Sequence, residues 1–297
     1  MALLAASVFA SAARADTDLQ WKFKPGTKTH FEMKMDAVRE TKSRDMVFQL
    51  KINQIMDMTW EVVDVDSDGN ATLHQTVDRV RMEVTLPQAG QPPVKFDTAQ
   101  ADKTPGAEIP AKIFGAMVGK PFTVKVTPAG KVLDMTPPEG LAQAFKNMPA
   151  GGGMTSEEGL QQMIKQSVMP MPEGPAAVGK TWESSAEMDT PPFGKQISTT
   201  YYKYAGTEDV DGKKLEKIDI TMDVKLEPAA DAQAKIKLKD NTAGGEILWD
   251  AEAGQPAVSQ VKTKTSFEIT INSMTVEETF TTNSTMKRVE GGEAREL

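Results

Sequence analysis

Cysteine is absent from this chain of 297 residues, which excludes disulfides, thiolate-bound zinc, thiol nucleophiles and a lipid-modified cysteine anchor. Histidine is nearly absent: His30 and His74 are the only two, and both fall on the polar parity of alternating stretches, as solvated strand residues do. Neither a G-x-S-x-G nor an H-E-x-x-H pattern occurs, so no nucleophile elbow and no zinc-protease helix is encoded. Carboxylates are plentiful, yet no spacing singles out an acid–base pair. Beyond the first fifteen residues no stretch is apolar enough for a membrane-spanning helix. Proline is missing from Gly26 to Leu86, and Gly69 is the one glycine between Gly26 and Gly90. Breakers are therefore lacking where a long strand needs them lacking.

Residues Met1 to Ala15 are apolar and small, end in Ala13-Arg14-Ala15, and give way to Asp16-Thr17-Asp18. This is the pattern of an export leader cleaved after residue 15, although the charged segment that usually opens such leaders is not there. Losing the leader and its arginine takes the net charge from −8 to −9. An acidic chain of this kind is a poor partner for nucleic acid or an anionic membrane. The expected location is periplasmic or extracellular.

What is present is dominated by one pattern. From Met46 to Val62, every second residue is apolar except Gln54: Met46, Phe48, Leu50, Ile52, Met56, Met58, Trp60 and Val62. A period of two predicts a strand with one buried face. Fully extended, it would reach ~56 Å, well beyond an ordinary strand, so it must curve or bulge, and Gln54 is the expected break. Asp66-Ser67-Asp68-Gly69-Asn70 is a turn signal. Alternation resumes at Leu73, Gln75 and Val77 and slips phase to Val80, Met82, Val84 and Leu86, predicting a β-bulge near Asp78-Arg79. Residues 46–86 thus read as one long antiparallel hairpin.

The remaining chain reads mainly as strands. Phe31, Met33, Met35 and Ala37 form a first strand, followed by a charged turn from Arg39 to Asp45. Residues 87–117 hold five prolines and read as loop with a short strand at Val94-Lys95-Phe96. Strands follow at Phe122–Val126 and Val132-Leu133. Helical spacing occurs at 139–148 and at 155–168, where Leu160, Met163, Ile164 and Val168 share one face. Tyr202, Tyr204, the run Ile218–Leu226, Ile236, Leu238, Ile247, Trp249, the run Val261–Ile271 and Met274–Met286 carry the later strands. Val118-Gly119-Lys120-Pro121-Phe122 is echoed by Val178-Gly179-Lys180-Thr181-Trp182, which places a boundary between two β halves. The expected organisation is a leader (1–15), an N-terminal β half (16–138), a helical insert (139–172), a C-terminal β half (173–289) and a frayed tail (290–297).

Two motif matches lack their contexts. Gly174 to Thr181 fits the phosphate-loop pattern, but no buried strand precedes it, no long helix can follow it, and Pro175 removes a cradling N–H. Asp64 to Gly69 resembles the start of an EF-hand loop, but Gln75 stands at the twelfth position, where a bidentate glutamate is needed. Methionine is abundant, with 18 residues and Met-x-Met at 33/35, 56/58 and 169/171. Spacing of two in a strand places both on one buried face, so packing accounts for these better than copper binding. Such an interior suits varied apolar partners.

Trp21 to Gly26, Met58-Thr59-Trp60 through Asp68-Gly69, Asp78-Arg79-Val80-Arg81-Met82, Gly119 to Gly130, the helical middle, and Pro172 to Trp182 with Tyr202-Lys203-Tyr204 resemble a family of exported bacterial β-rich proteins known only as a domain of unknown function. The resemblance implies export and a β-rich fold, and no activity. Long curved strands with a helical insert also look like half-barrel carriers of lipids and lipoproteins in the bacterial envelope, an analogy of architecture.

The expected fold is mainly β: long curved antiparallel strands in two halves, as an open half-barrel or paired sandwiches, with a short helical insert. The expected function is non-enzymatic binding of an apolar ligand such as lipid, lined by Phe48, Leu50, Ile52, Met56, Met58, Trp60 and Val62 and lidded by the helix face of Leu160, Met163, Ile164 and Val168. The alternatives are a structural or protein-binding component of the envelope, and a hydrolase with dispersed carboxylates. No cofactor or metal is implied, and the expected partner is an apolar ligand or an envelope protein.

Overall fold

The computed structural model describes residues 16–87, 90–100, 107–141, 164, 167–190, 194–229, 234–271 and 274–290. The strands are β1 (Lys28–Ser43), β2 (Met46–Val65), β3 (Ala71–Thr85), β4 (Val94–Asp97), β5 (Pro121–Val126), β6 (Val132–Thr136), β7 (Thr181–Thr190), β8 (Gly194–Val210), β9 (Lys213–Pro228), β10 (Ala234–Asp250), β11 (Gln255–Ile271) and β12 (Met274–Val289), with one helix, α1 (Glu108–Gly115), before β5. They form one 12-stranded sheet in the order β6-β5-β3-β2-β1-β12-β11-β10-β9-β8-β7, with β4 beside β3. All its ladders are antiparallel, and pairing of β1 with β12 joins the first and last strands in mid-sheet. The sheet is curved and does not close: β6 and β7 remain its edges.

The long hairpin is β2 and β3, and its bulge is where the phase slip predicts. Asp57 pairs with Arg79 and Met58 with Val77, so Asp78 is the extra residue. The expected break at Gln54 is absent. Gln54 pairs in register with Met35 and Met82, and the second irregularity of this ladder falls at Val63. An amide on the half-buried face can keep its backbone in the ladder, so a polar side chain alone does not interrupt a strand.

The charged segment from Arg39 is strand, not turn. β1 runs to Ser43, and Arg44 with φ 52° makes a two-residue turn with Asp45. Its charges are accommodated by cross-strand partners: Arg39 Nε and Nη2 donate to Glu278 at 2.6 and 2.9 Å, and Gln49 Nε2 donates to Glu40 at 2.8 Å. Helix α1 lies in the stretch read as loop. Pro110 sits in its first turn, where a missing N–H costs nothing. The predicted helices at 139–148 and 155–168 lie largely outside the described residues. Leu141 and Ile164 are described, and both are buried against Phe122 and Val124. Ile236, Leu238, Ile247 and Trp249 belong to one strand, β10, which passes through Gly244-Gly245. Its ladder to β9 spans Gly244 to Trp249; farther along, Asn241 Nδ2 donates to the Met222 carbonyl at 2.9 Å.

The two empty motifs resolve into turns. Asp66 accepts from the backbone N–H groups of Asp68 and Asn70 and pairs with Lys125 at 2.9 Å. Lys125 and Asn70 hold its carboxyl well below the ordinary range. Thr181, the last residue of the phosphate-loop match, opens β7 and not a helix.

The curvature is set from within. Residues 17–27 cross the inner face before β1 begins. Thr17 pairs with Ala176, Trp21 N donates to Pro128 O at 2.9 Å, Lys22 N to Gly254 O at 3.1 Å and Gly26 N to Val62 O at 2.8 Å. The Trp21 indole meets Trp60 of β2 at 6.0 Å and Trp249 of β10 at 4.8 Å between ring centroids. β2 and β10 are separated by β1, β12 and β11, which in a flat sheet would put them ~19 Å apart. One indole touches both only because the sheet is bent around it. Trp21, Phe31, Trp60, Tyr204, Ile218 and Trp249 are central members of the main core.

Two predictions follow from this closure. Gly130, in the β5–β6 turn, has φ +75°, and a Cβ there would lie 2.1 Å from Met169 O and 3.0 Å from Trp21 Nε1. Gly212, in the β8–β9 turn, has φ +79° with nothing within 4 Å. Gly212→Ala should cost ~1 kcal/mol from φ alone, and Gly130→Ala ~2 kcal/mol more from the collision, read as urea midpoints. The second concerns Asp250, whose Oδ2 accepts from Lys213 and Arg288 at 2.6 Å each. Burial pushes its carboxyl up, but those two bonds outweigh it and hold it at about 2. A carboxylate depressed in this way contributes stability that is complete above its unfolded value of ~4 and is lost as the pH falls through the folded one, about 2–3 kcal/mol in all. Stability should therefore drop between pH ~4 and ~2, and Asp250→Asn, weaker at neutral pH, should lack that part of the pH slope.

Candidate functional site

Between the sheet and the chain that crosses it lies a cavity of 570 Å³. Its floor is the inner face of β7 to β12 with parts of β1 and β2. The register explains the lining: Ser184 faces Thr200, which faces Met222; Trp182 faces Tyr202, which faces Ile220. On the other side, Val261 pairs with Ser284, and Ser259 with Met286, which pairs with Met33. These side chains share one face because the ladders keep them in phase. The roof is Trp21 with the segment Ser167–Pro170. That segment is pinned by two indoles: Trp21 Nε1 donates to Met169 O at 2.9 Å and Trp182 Nε1 to Pro170 O at 2.8 Å. Met171 N also donates to Ala129 O at 2.9 Å. A second cavity of 320 Å³ adjoins Trp21 and Trp60 at the end of the sheet, lined also by Lys22, Lys24 and Glu252.

The larger cavity has a clear electrostatic character. Among the described residues none of its lining side chains is charged. The one titratable group among them is the Tyr202 phenol, which burial pushes up to about 12, so it stays neutral. One part of the wall is apolar, with Trp60, Ile220, Ile247, Trp249 and Val261; another carries hydroxyls from Ser184, Ser198, Thr200, Ser259 and Ser284. Trp249 is fully buried, and its indole N–H has no acceptor.

The groups with acid–base or ionic character lie elsewhere. Arg81 is buried on the opposite face of β3 and donates from Nη2 to both Asp57 oxygens at 2.7 and 2.8 Å. Burial raises the Asp57 carboxyl in spite of Arg81. His30 Nδ1 lies 2.9 Å from Thr59 Oγ1, whose hydroxyl donates to Asp78 at 2.6 Å. This chain of contacts secures the bulge residue Asp78, and with Thr59 giving its proton to a carboxylate it does not form a His-activated nucleophile. Among the described residues no three His, Asp or Glu side chains come together in a way that could hold a metal ion.

The sequence-derived lining residues spread along the whole inner face. Trp60 lines the cavity. Met58 and Val62 pack against the main core, and Val62 lines the smaller cavity. Leu50, Ile52 and Met56 are half-buried farther along β2, and Phe48 is exposed near its tip. Ile164 sits in the second core with Phe122, Val124 and Leu141, while Leu160 and Met163 lie outside the described residues. Sequence reading missed most of the wall, which comes from β7 to β12, and of the roof it named Val168 alone. Two signals were available: the alternation of Ile218, Ile220 and Met222, and the four tryptophans, all of which meet the crossing chain or the cavity wall.

No curated protein is significantly similar to the chain. Among solved structures, one of lipovitellin described by its lipid–protein interactions shares 12% identity at a TM-score of 0.49, over 93% of this chain and 27% of that one. The chain thus spans about a quarter of the length of lipovitellin. A DUF1329-family protein from Desulfovibrio piger shares 9% identity at a TM-score of 0.15, over 89% of this chain and 87% of that one. The complex of MucA and MucB from Pseudomonas aeruginosa shares 10% identity at a TM-score of 0.13, over 87% of this chain and 94% of that one. The profile of DUF6263 matches residues 68–287, a span that takes in the strands from β3 to β11 and all but the last two residues of β12, and with them most of the cavity wall; the chain belongs to this family of unknown function.

Proposed function

We propose that this chain is an exported, non-enzymatic protein that binds an apolar ligand, of the lipid class, on the inner face of its curved sheet. The observation that carries this reading is the 570 Å³ cavity under Trp21, bounded by tryptophans and aliphatic side chains and, among the described residues, lined by no charged group. Its volume is that of a small-molecule site, and mostly apolar walls with a few polar groups are how such sites are built. An acid or base facing the cavity would favour catalysis, and among the described lining residues the one titratable group is a neutral phenol. Export rests on the leader pattern that ends at Ala13-Arg14-Ala15.

A second reading, a protein-binding component of the envelope, draws on a different feature. Met46 and Val47 at the β1–β2 tip and Ile271 and Met274 at the β11–β12 tip are exposed, from 41% to 56%, at one end of the sheet. Adjacent pairing of β1 and β12 brings the two tips side by side. A stoichiometric partner that co-purifies with the wild type and is lost on Met46→Lys with Met274→Lys would favour this reading.

The test of the first reading is direct. Protein purified without detergent should yield lipid on solvent extraction, detected by mass spectrometry at near-stoichiometric amounts. Ala186→Phe, on the cavity wall at the edge strand β7, should remove that lipid while costing less than ~1 kcal/mol, because the ring enters open space. Lipid-free wild-type protein, or a loss of ~1–3 kcal/mol from overpacking with no effect on lipid, contradicts it.

A further inference from the structure

We infer that the cavity selects uncharged amphiphiles, molecules with an apolar chain and an oxygen-bearing head such as a glyceride, over fatty-acid anions and other anionic lipids. This rests on the apolar-ligand reading and says which ligand the site takes. Three observations lead to it.

The first is that, among the described residues, no lining side chain is charged. A carboxylate or phosphate brought under Trp21 would leave water without gaining a cationic partner among these residues, which disfavours it. The nearby cations are engaged elsewhere. Lys213 and Arg288 bind Asp250, Arg39 binds Glu278, and none of these three cations lines the cavity.

The second is that the wall is not purely apolar. β7 and β8 supply Ser184, Ser198 and Thr200, and β11 and β12 supply Ser259 and Ser284, on the parity where the flanking strands place Ile220, Ile247 and Val261. A site for bare hydrocarbon needs no hydroxyls. Hydroxyls can donate to ester, hydroxyl or carbonyl oxygens, and they satisfy a neutral head without a counter-ion.

The third is the unmet donor. Trp249 is part of the wall, is fully buried, and has an indole N–H without an acceptor. A buried donor left unpaired is destabilising, and an acceptor atom that reaches it removes that penalty. Trp21 and Trp182, by contrast, spend their N–H groups on the roof carbonyls of Met169 and Pro170. Of these three indoles Trp249 keeps an unpaired N–H; it lies behind the wall, out of reach of a water molecule, so a guest's oxygen meets it where the wall gives way, and a neutral acceptor does so without the desolvation cost of an anion.

The experiment compares 1-lauroylglycerol with laurate, which share one acyl chain and differ in the charge of the head. Both are titrated into delipidated protein at pH 8, below their aggregation concentrations, by calorimetry. The glyceride should bind at least ~10-fold more tightly, the order expected for an unpaired buried carboxylate. Thr200→Lys, which places a cation in the wall, should reverse the preference. Ser259→Lys on the opposite wall serves the same purpose if the first variant does not fold. Equal or tighter binding of laurate to the wild type, or an unchanged preference in a folded lysine variant, overturns the inference and leaves the apolar-ligand reading standing. Binding of neither compound overturns both.

Discussion

The structure depends on one side chain that is not in the sheet. Trp21 sits on the segment that precedes β1 and touches Trp60 and Trp249 from strands four positions apart in the sheet. Its ring, its Nε1–H to Met169 and its backbone N–H to Pro128 hold together the bent sheet, the roof segment and the β5–β6 turn. A 12-stranded sheet left flat would expose one whole apolar face, and natural sheets of this size curl or split to avoid it. Here the chain bends the sheet around its own N-terminal segment. Curvature of this kind covers the inner face only in part, because β6 and β7 never meet. Space beneath the roof is the geometric consequence.

That space differs from a defect in packing. Protein interiors pack near crystal density and tolerate few voids, so several hundred Å³ beside three tryptophans calls for an explanation in function. The lining has the mixed character of a recognition site, with aromatic and aliphatic walls, a set of hydroxyls and one buried donor without a partner. Charges are kept away from it. The ion pairs formed by Arg81, Lys213 and Arg39 lie on the outer face, at the end of the sheet and toward the hairpin tips, respectively. The chain is acidic, yet the described lining of its cavity is neutral.

Much of the fold was legible because β pairing writes a local period. The alternation from Met46 to Val62 and the slip at Asp78 could be read residue by residue, and the ladder of β2 and β3 follows them. The charged residues from Arg39 to Ser43 misled, since propensity counts them as turn while cross-strand partners such as Glu278 make them strand. Those partners are some 240 positions away in the chain and leave no local trace. Gln54 misled for the opposite reason: an irregular side chain was taken for an irregular backbone. Pro110 hid a helix because proline breaks helices everywhere except in the first turn. The site was half legible. Trp60 could be placed on the inner face from its parity alone, but Ser184, Thr200 and Ser259 join it only through the sheet order, which no periodicity encodes. The roof at Met169-Pro170, which reads as a helix stop, owes its role to indoles at positions 21 and 182.

The central claim is that the space beneath Trp21 is ligand space and not core. Trp21, Trp60 and Trp249 line it and make the claim visible by fluorescence. The most direct measurement is a titration of the folded, delipidated protein with a monoglyceride whose acyl chain carries bromine atoms, a contact quencher. The account predicts saturable loss of most tryptophan emission near one equivalent, with an unbrominated glyceride of the same length competing it away. Emission that stays unquenched in folded protein at saturating glyceride would contradict it.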